Sequence, residues 1–166
     1  MAWVFAYGSL MGDAVLGRFS ARPARLPGFH RAFLHESRKR WGASSAPCPI
    51  LGLAPGGECW GVAFEVPDAE RHVVLRALER REAADERRRV TRATETPEGP
   101  VEAWVWVSRG AESRDPADLT GVEARLRTAH GVVGTGVEYV RTVAHSLELH
   151  GLRDPLVDRL WARLRG

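Results

Sequence analysis

The chain opens on an apolar run, Ala2–Ala6, whose length and β-prone residues predict a buried strand. The run meets Tyr7 and breaks at Gly8-Ser9, and Leu10 and Met11 follow before Gly12-Asp13. Gly-Ser is a common turn dipeptide. Glycine also lets a backbone or ligand approach closely, and N–H groups just past a strand end can bind an anion or an oxyanion. Local pattern therefore leaves a plain turn and a binding loop both open. Val15, Leu16 and Phe19 then fall at helical spacing and predict a short helix over 12–19, with Asp13 near its positive end. Pro23 and Pro27-Gly28 punctuate an extended segment, and 29–34 resumes as a strand. The polar stretch 36–49 predicts a loop, of a length that often carries function. A short strand over 50–53, a turn at Pro55-Gly56-Gly57 and a strand over 58–66 read as a hairpin.

Pro67-Asp68 opens a helix with a carboxylate at the cap position. It runs to about 81–84, with an apolar stripe of Val74, Leu75 and Leu78 joined by Val73. Strands follow over 87–93 and 101–107. In the second, Val101, Ala103, Val105 and Val107 alternate with Glu102, Trp104 and Trp106, so both faces are at least partly covered. The last third predicts helices over 117–130, 137–150 and 155–164. Gly131, Gly134 and Gly136 separate the first two, and Gly151, Asp154 and Pro155 the last two. Strands with one internal helix, then helices, define an α+β fold: a small, mostly antiparallel β-barrel with flanking helices.

A chain of 166 residues fits one domain spanning 1–166. Hydrophobic content of 44% and charged content of 27% are those of an ordinary globular protein. No apolar run is long enough for a membrane span, and no secretory signal is visible at the N-terminus. Cys48 and Cys59 lack the C-x-x-C spacing, which points to a reducing cytoplasm. The scattered histidines form no zinc pattern. Arginine supplies nearly all of the positive charge, Lys39 being the only lysine. The densest basic stretch, Arg80, Arg81, Arg87, Arg88, Arg89 and Arg92, is interrupted by Glu79, Glu82 and Glu86. It has no aromatic readers, so it reads as a solvated surface and not as a nucleic-acid face.

Glu82 stands out. Leu75, Leu78 and Glu82 are spaced i, i+3, i+7, which puts a carboxylate on an apolar stripe. Glutamate is rarely buried unless paired, and a helix C-terminus disfavours negative charge. Both effects disfavour ionisation, as suits a general acid/base near neutral pH. The alternative is a structural ion pair with Arg81 or Arg87. No Ser-His-Asp arrangement with a nucleophile elbow is present, neither cysteine has an evident histidine partner, and no phosphate-binding glycine loop follows a strand.

Taken together and in order, these features resemble the γ-glutamylcyclotransferase superfamily, specifically its ChaC-like branch. Val4-Phe5-Ala6-Tyr7-Gly8-Ser9-Leu10-Met11 looks like its opening, and Ile50 to Gly56 with Cys59 to Phe64 like its hairpin. Leu78-Glu79-Arg80-Arg81-Glu82 looks like its Leu-Asp-x-Arg-Glu helix end, and Val137-Glu138-Tyr139-Val140 with Leu147 to Leu160 like its C-terminal helices. The resemblance implies a γ-glutamyl substrate, glutathione in this branch, converted to 5-oxoproline with release of Cys-Gly. It assigns the acid/base role to Glu82. The glutamyl end falls to Tyr7, Gly8, Ser9 and Leu10, with the Tyr139 phenol in the pocket. It calls for no metal and no cofactor. Two departures bear on the substrate. Met11-Gly12 replaces the branch's tryptophan, and Arg40-Trp41-Gly42-Ala43-Ser44-Ser45 replaces its Arg-Gly-Thr-Pro-Glu loop. The competing expectation is a non-catalytic small-ligand or interaction module on the same fold.

Overall fold

The apolar opening forms β1 (Ala2–Ala6), the staple of the sheet. It pairs antiparallel with β3 (Cys48–Val66) on one side and parallel with β5 (Gly99–Ser108) on the other. Between them β3 pairs with β2 (Ser20–Ser37), β2 touches β4 (Arg87–Thr96), and β4 pairs with β5. The order β1-β3-β2-β4-β5 closes a barrel, antiparallel except where β1 meets β5. The computed structural model describes residues 1–83, 86–109 and 119–166.

Alternation sorts the side chains into two cores. Phe5, Tyr7, Leu26, Leu53, Val105 and Val107 belong to one cluster. Val4, Ala6, Phe64, Trp104 and Trp106 belong to a second, packed against the helices. These are α1 (Arg71–Ala83), α2 (Val122–Thr128), α3 (Gly136–Leu149) and α4 (Pro155–Leu164). Thr135 and Glu138 close a reciprocal capping box on α3, and Asp154 caps α4 with Pro155 at its first position. Among the described residues no helix is long and apolar enough to cross a membrane.

Several sequence expectations are corrected. The hairpin read within 50–66 does not exist, because β3 runs through Pro55-Gly56-Gly57 as one strand of 19 residues. Gly56 and Gly57 have φ of 103° and 68°, and Gly28 opposite has 86°. The three form an irregularity in the β2–β3 ladder, between Pro27↔Glu58 and Phe29↔Pro55, so the glycines bend two strands instead of reversing one. The true hairpin joins β2 to β3 through residues 38–47. The helix expected over 12–19 is replaced by a 3₁₀ turn, Ser9–Gly12, followed by two bonded turns, Gly17 N–H to the Asp13 carbonyl and Phe19 N–H to the Leu16 carbonyl. There the Asp13 carboxylate takes the Val15 N–H at 2.8 Å, as at a helix cap, but the two turns do not continue as a helix. Leu16 is nonetheless fully buried.

Asp68 does not cap the helix that follows it. Its carboxylate pairs with the Met1 amine at 2.7 Å, and α1 begins at Arg71. The buried stripe of α1 is Val74, Leu78 and Glu82, whereas Val73 is exposed. Ala84, at the expected end of that helix, lies outside the described residues, as do the first residues, 117 and 118, of the helix expected over 117–130.

Candidate active site

The end of β1 is held by a buried cation. Arg31 Nε donates to the Tyr7 carbonyl at 2.7 Å, Nη2 to the Trp60 carbonyl at 2.5 Å, and Nη1 to Asp154 at 2.8 Å. One guanidinium thus ties the loop after β1 to β3 and to the cap of α4. Beyond Tyr7 the first closed bond of the 3₁₀ turn is Met11 N–H to the Gly8 carbonyl, 3.1 Å. The N–H groups of Gly8, Ser9 and Leu10 therefore precede the ladder, as at any helix start. Arg81 of α1 locks the turn from outside: Nη2 donates to Ser9 Oγ at 2.9 Å, across 72 residues of sequence, and Nη1 pairs with Asp13.

Gly8 does not use a left-handed conformation; its φ is −125°. A side chain here would meet the Tyr139 hydroxyl, 3.6 Å from an added Cβ. The glycine keeps this corner of the pocket open.

Glu82 is 4% exposed and is not alone. Arg87 Nη1 stands 2.5 Å from Glu82 Oε2, and Arg81 Nε lies 3.7 Å from Oε1. The apolar stripe thus ends on a carboxylate compensated by a buried guanidinium, as such burial requires. Arg87 was expected either on a solvated surface or as an ion-pair partner of Glu82; it takes the second place, is 8% exposed and opens β4. Its Nη2 donates to the Leu51 carbonyl at 2.7 Å, while the Leu51 N–H donates to Tyr139 Oη at 2.9 Å. Burial holds the Tyr139 phenol well above the usual tyrosine range, so the group is protonated. With its oxygen accepting from Leu51, its own O–H is available to donate. Tyr7 is held protonated chiefly by burial as well, with Glu82 adding to the effect and Arg87 opposing it. Its hydroxyl donates to the Trp106 carbonyl at 2.9 Å.

The 38–47 loop completes the wall. Val132 and Val133 N–H bond to the Lys39 and Arg40 carbonyls at 2.9 and 2.8 Å, and Trp41 N–H bonds to Ser37 Oγ at 3.0 Å. Trp41 then sits edge-on to Tyr139, with ring centroids 5.5 Å apart.

The result is one small pocket, with a cavity volume of about 30 Å³, lined by Tyr7, Gly8, Ser9, Leu10, Glu82 and Tyr139 among others. All six residues singled out from sequence meet there. Sequence reasoning offered Arg81 and Arg87 only as structural ion-pair partners of Glu82 and missed Arg40, Trp41 and Trp106 as lining residues; all five line the pocket. The available signal was the spacing from Glu82 to Arg87, which spans the end of a helix and the first residue of a strand. Neither thiol competes for the chemistry, since burial pushes Cys48 up to about 12 and Cys59 up to about 11.

A small closed barrel with flanking helices, carrying a pocketed glutamate and a Tyr-Gly-Ser-Leu loop, defines a γ-glutamyl-cyclotransferase-like fold. The chain belongs to the ChaC-like protein family, whose sequence profile matches residues 2–165. It is similar to the zebrafish (Danio rerio) glutathione-specific gamma-glutamylcyclotransferase 1, 26% identical over 156 residues, covering 89% of this chain and 79% of the relative. It is also similar to the Escherichia coli K12 glutathione-specific gamma-glutamylcyclotransferase, 35% identical over 80 residues. That match spans 48% of this chain and about a third of the relative's length, 35%. In structure it resembles a yeast gamma-glutamyl cyclotransferase specific to glutathione, with a TM-score of 0.85 at 15% identity over 99% of this chain and 95% of that one.

Proposed function

We propose that the protein is a γ-glutamylcyclotransferase that converts a γ-glutamyl amide, with glutathione the first candidate, to 5-oxoproline and a released amine. For glutathione that amine is Cys-Gly. The observation that carries this reading is the pocket shared by Glu82 and the 7–10 loop, which are far apart in sequence. The names of the relatives point the same way.

The reaction needs little beyond geometry and one proton relay. The substrate α-amine forms a bond to its own γ-carbonyl carbon, and the γ-amide C–N bond breaks. Nucleophile and electrophile already share a molecule, so holding a folded conformer supplies orientation that can be worth about 7–11 kcal/mol. The N–H groups of Gly8, Ser9 and Leu10 face the glutamyl carboxylate or the developing oxyanion. Ser9 Oγ, accepting from Arg81, keeps its own proton to donate. Glu82 takes the amine proton and returns it to the leaving nitrogen. An ionised carboxylate offers about four lone-pair sites, so pairing with Arg87 still leaves room to accept that proton. Tyr139 donates to the substrate from the opposite wall. No residue in this scheme needs a metal or cofactor. The free thiols of Cys48 and Cys59 suit a cytoplasmic setting.

One observation favours the non-catalytic module: Glu82 is ion-paired with arginine. That reading also calls for a filled core beneath the 7–10 loop, and a small pocket lies there. Incubation with glutathione and assay of 5-oxoproline tests the choice. Stoichiometric 5-oxoproline and Cys-Gly are expected, and tight binding without product would favour the module.

A further inference from the structure

The pocket adjoins a second depression in the surface. Ser37, Arg40 and Arg81 line it and also line a neighbouring, much larger cleft of about 820 Å³. If the glutamyl end sits against the 7–10 loop, the leaving amine emerges toward this cleft.

The cleft is basic. The 38–47 loop brings Arg38, Lys39 and Arg40 to it, and α1 brings Arg80 and Arg81. Two of its acidic groups are engaged with cations of the same lining. Asp13 pairs with Arg81, and Glu36 pairs with both Arg38 at 2.8 Å and Arg125 at 2.6 Å. Glu86 is the remaining carboxylate of the lining. Lys39 and Arg80 are exposed and make no ion pair among the described residues. They come from two different elements, so the excess positive charge belongs to the cleft and not to one helix face. A cleft lined by one sign of charge focuses field on an oppositely charged ligand. Cys-Gly offers it one carboxylate and fills little of its volume.

We infer that the preferred substrate is a γ-glutamyl peptide whose leaving amine is itself an anionic peptide with several carboxylates, and that Lys39 and Arg80 select it. This rests on the cyclotransferase reading and extends it from the head of the substrate to its tail. The chemistry is unchanged: the ring C–N bond forms, the γ-amide C–N bond breaks, and the amine proton moves to the departing nitrogen.

The test compares three substrates at low salt: a γ-glutamylglycine amide with a neutral leaving amine, glutathione, and γ-Glu-γ-Glu-Glu, whose leaving amine carries three carboxylates. The expected kcat/KM rises in that order, by about ten-fold or more from first to last, carried by KM. Exposed charge pairs are screened beyond about 10 Å at 0.1 M salt, so the preference should shrink on adding salt. It should also be lost in the double variant Lys39→Glu/Arg80→Glu, while turnover of the neutral amide is kept. If that variant does not fold, Lys39→Gln/Arg80→Gln replaces it. Equal kcat/KM for the three substrates, or a preference that survives salt and the variants, would overturn the inference. Absence of turnover on all three would overturn the cyclotransferase reading instead. Calorimetry with N-acetyl-γ-Glu-γ-Glu-Glu, which cannot cyclise, then decides the cleft separately. Salt-sensitive binding lost in the variant supports it, and absent or salt-insensitive binding refutes it.

Discussion

Arg87 and Leu51 meet at 2.7 Å, guanidinium to carbonyl, and through that contact the Glu82 carboxylate and the Tyr139 phenol are tied to one residue of β3. Arg87 spans two acceptors with the two arms of a rigid planar fork, a spread that the single nitrogen of an ammonium does not reproduce. Arg87→Lys is therefore expected to keep the charge but lose the register, lowering kcat with a smaller change in KM. Arg87→Met leaves Glu82 buried without its guanidinium and should cost about 3–5 kcal/mol of stability. Denaturant melts of both variants beside steady-state kinetics would check this. A lysine variant with native kcat and stability would show that Arg87 acts through charge alone.

Tyr139→Phe removes the oxygen that accepts the Leu51 N–H. A buried N–H left without a partner costs about 1–3 kcal/mol. A lower unfolding midpoint is expected, together with a fall in kcat from loss of the donated O–H. An unchanged midpoint would mean that water or another group takes over the N–H.

Gly8 separates folding from binding. An added Cβ has ordinary contact distance to Tyr139 Oη, 3.6 Å, so Gly8→Ala should fold normally. Gly8→Val projects further into the pocket and should raise KM by at least about ten-fold, a loss of roughly 1.4 kcal/mol of binding. Thermal melts and substrate saturation curves measure the two effects. A valine variant with native KM would move the substrate away from this loop.

His35 provides a pH signature. Its Nε2 lies 2.5 Å from Ser108 Oγ, and burial, with Arg87 second, pushes it down to about 4 from an ordinary 6.5. Between these values the unfolded chain binds a proton that the folded chain does not, so stability falls as pH falls. The contribution is complete above about 6.5 and is lost by about 4. With allowance for partial exposure it is of order 1–2 kcal/mol. Urea midpoints at pH 7 and about 4.5 should differ more for the native protein than for His35→Gln. Parallel losses in the two would exonerate His35.

Much of the barrel is written in local pattern. β1, β4 and β5 announce themselves by apolar runs and alternation, and α3 and α4 by their caps. The β2–β3 pairing is not local. Pro55-Gly56-Gly57 carries every mark of a reversal, and only the matching Gly28 across the ladder turns it into a bend. Glu82, Tyr139 and the 7–10 loop were legible because each breaks or completes a pattern. Arg87 was hidden in a basic run whose other members are mostly solvated. Its burial depends on a strand start that follows Glu86, a residue at φ 57° beyond the end of α1. Single-residue chemistry gave no hint of that turn.

The central claim is that Glu82 moves the proton in a pocket assembled around the 7–10 loop. Glu82→Gln keeps size and hydrogen bonding to Arg87 but cannot accept the amine proton. With glutathione as substrate and 5-oxoproline as the readout, turnover should fall by about 10²–10⁴-fold, with KM nearly unchanged and the protein folded but with a lower melt, because Arg87 loses its buried counter-charge. A folded Glu82→Gln variant that forms 5-oxoproline at the native rate would contradict the account.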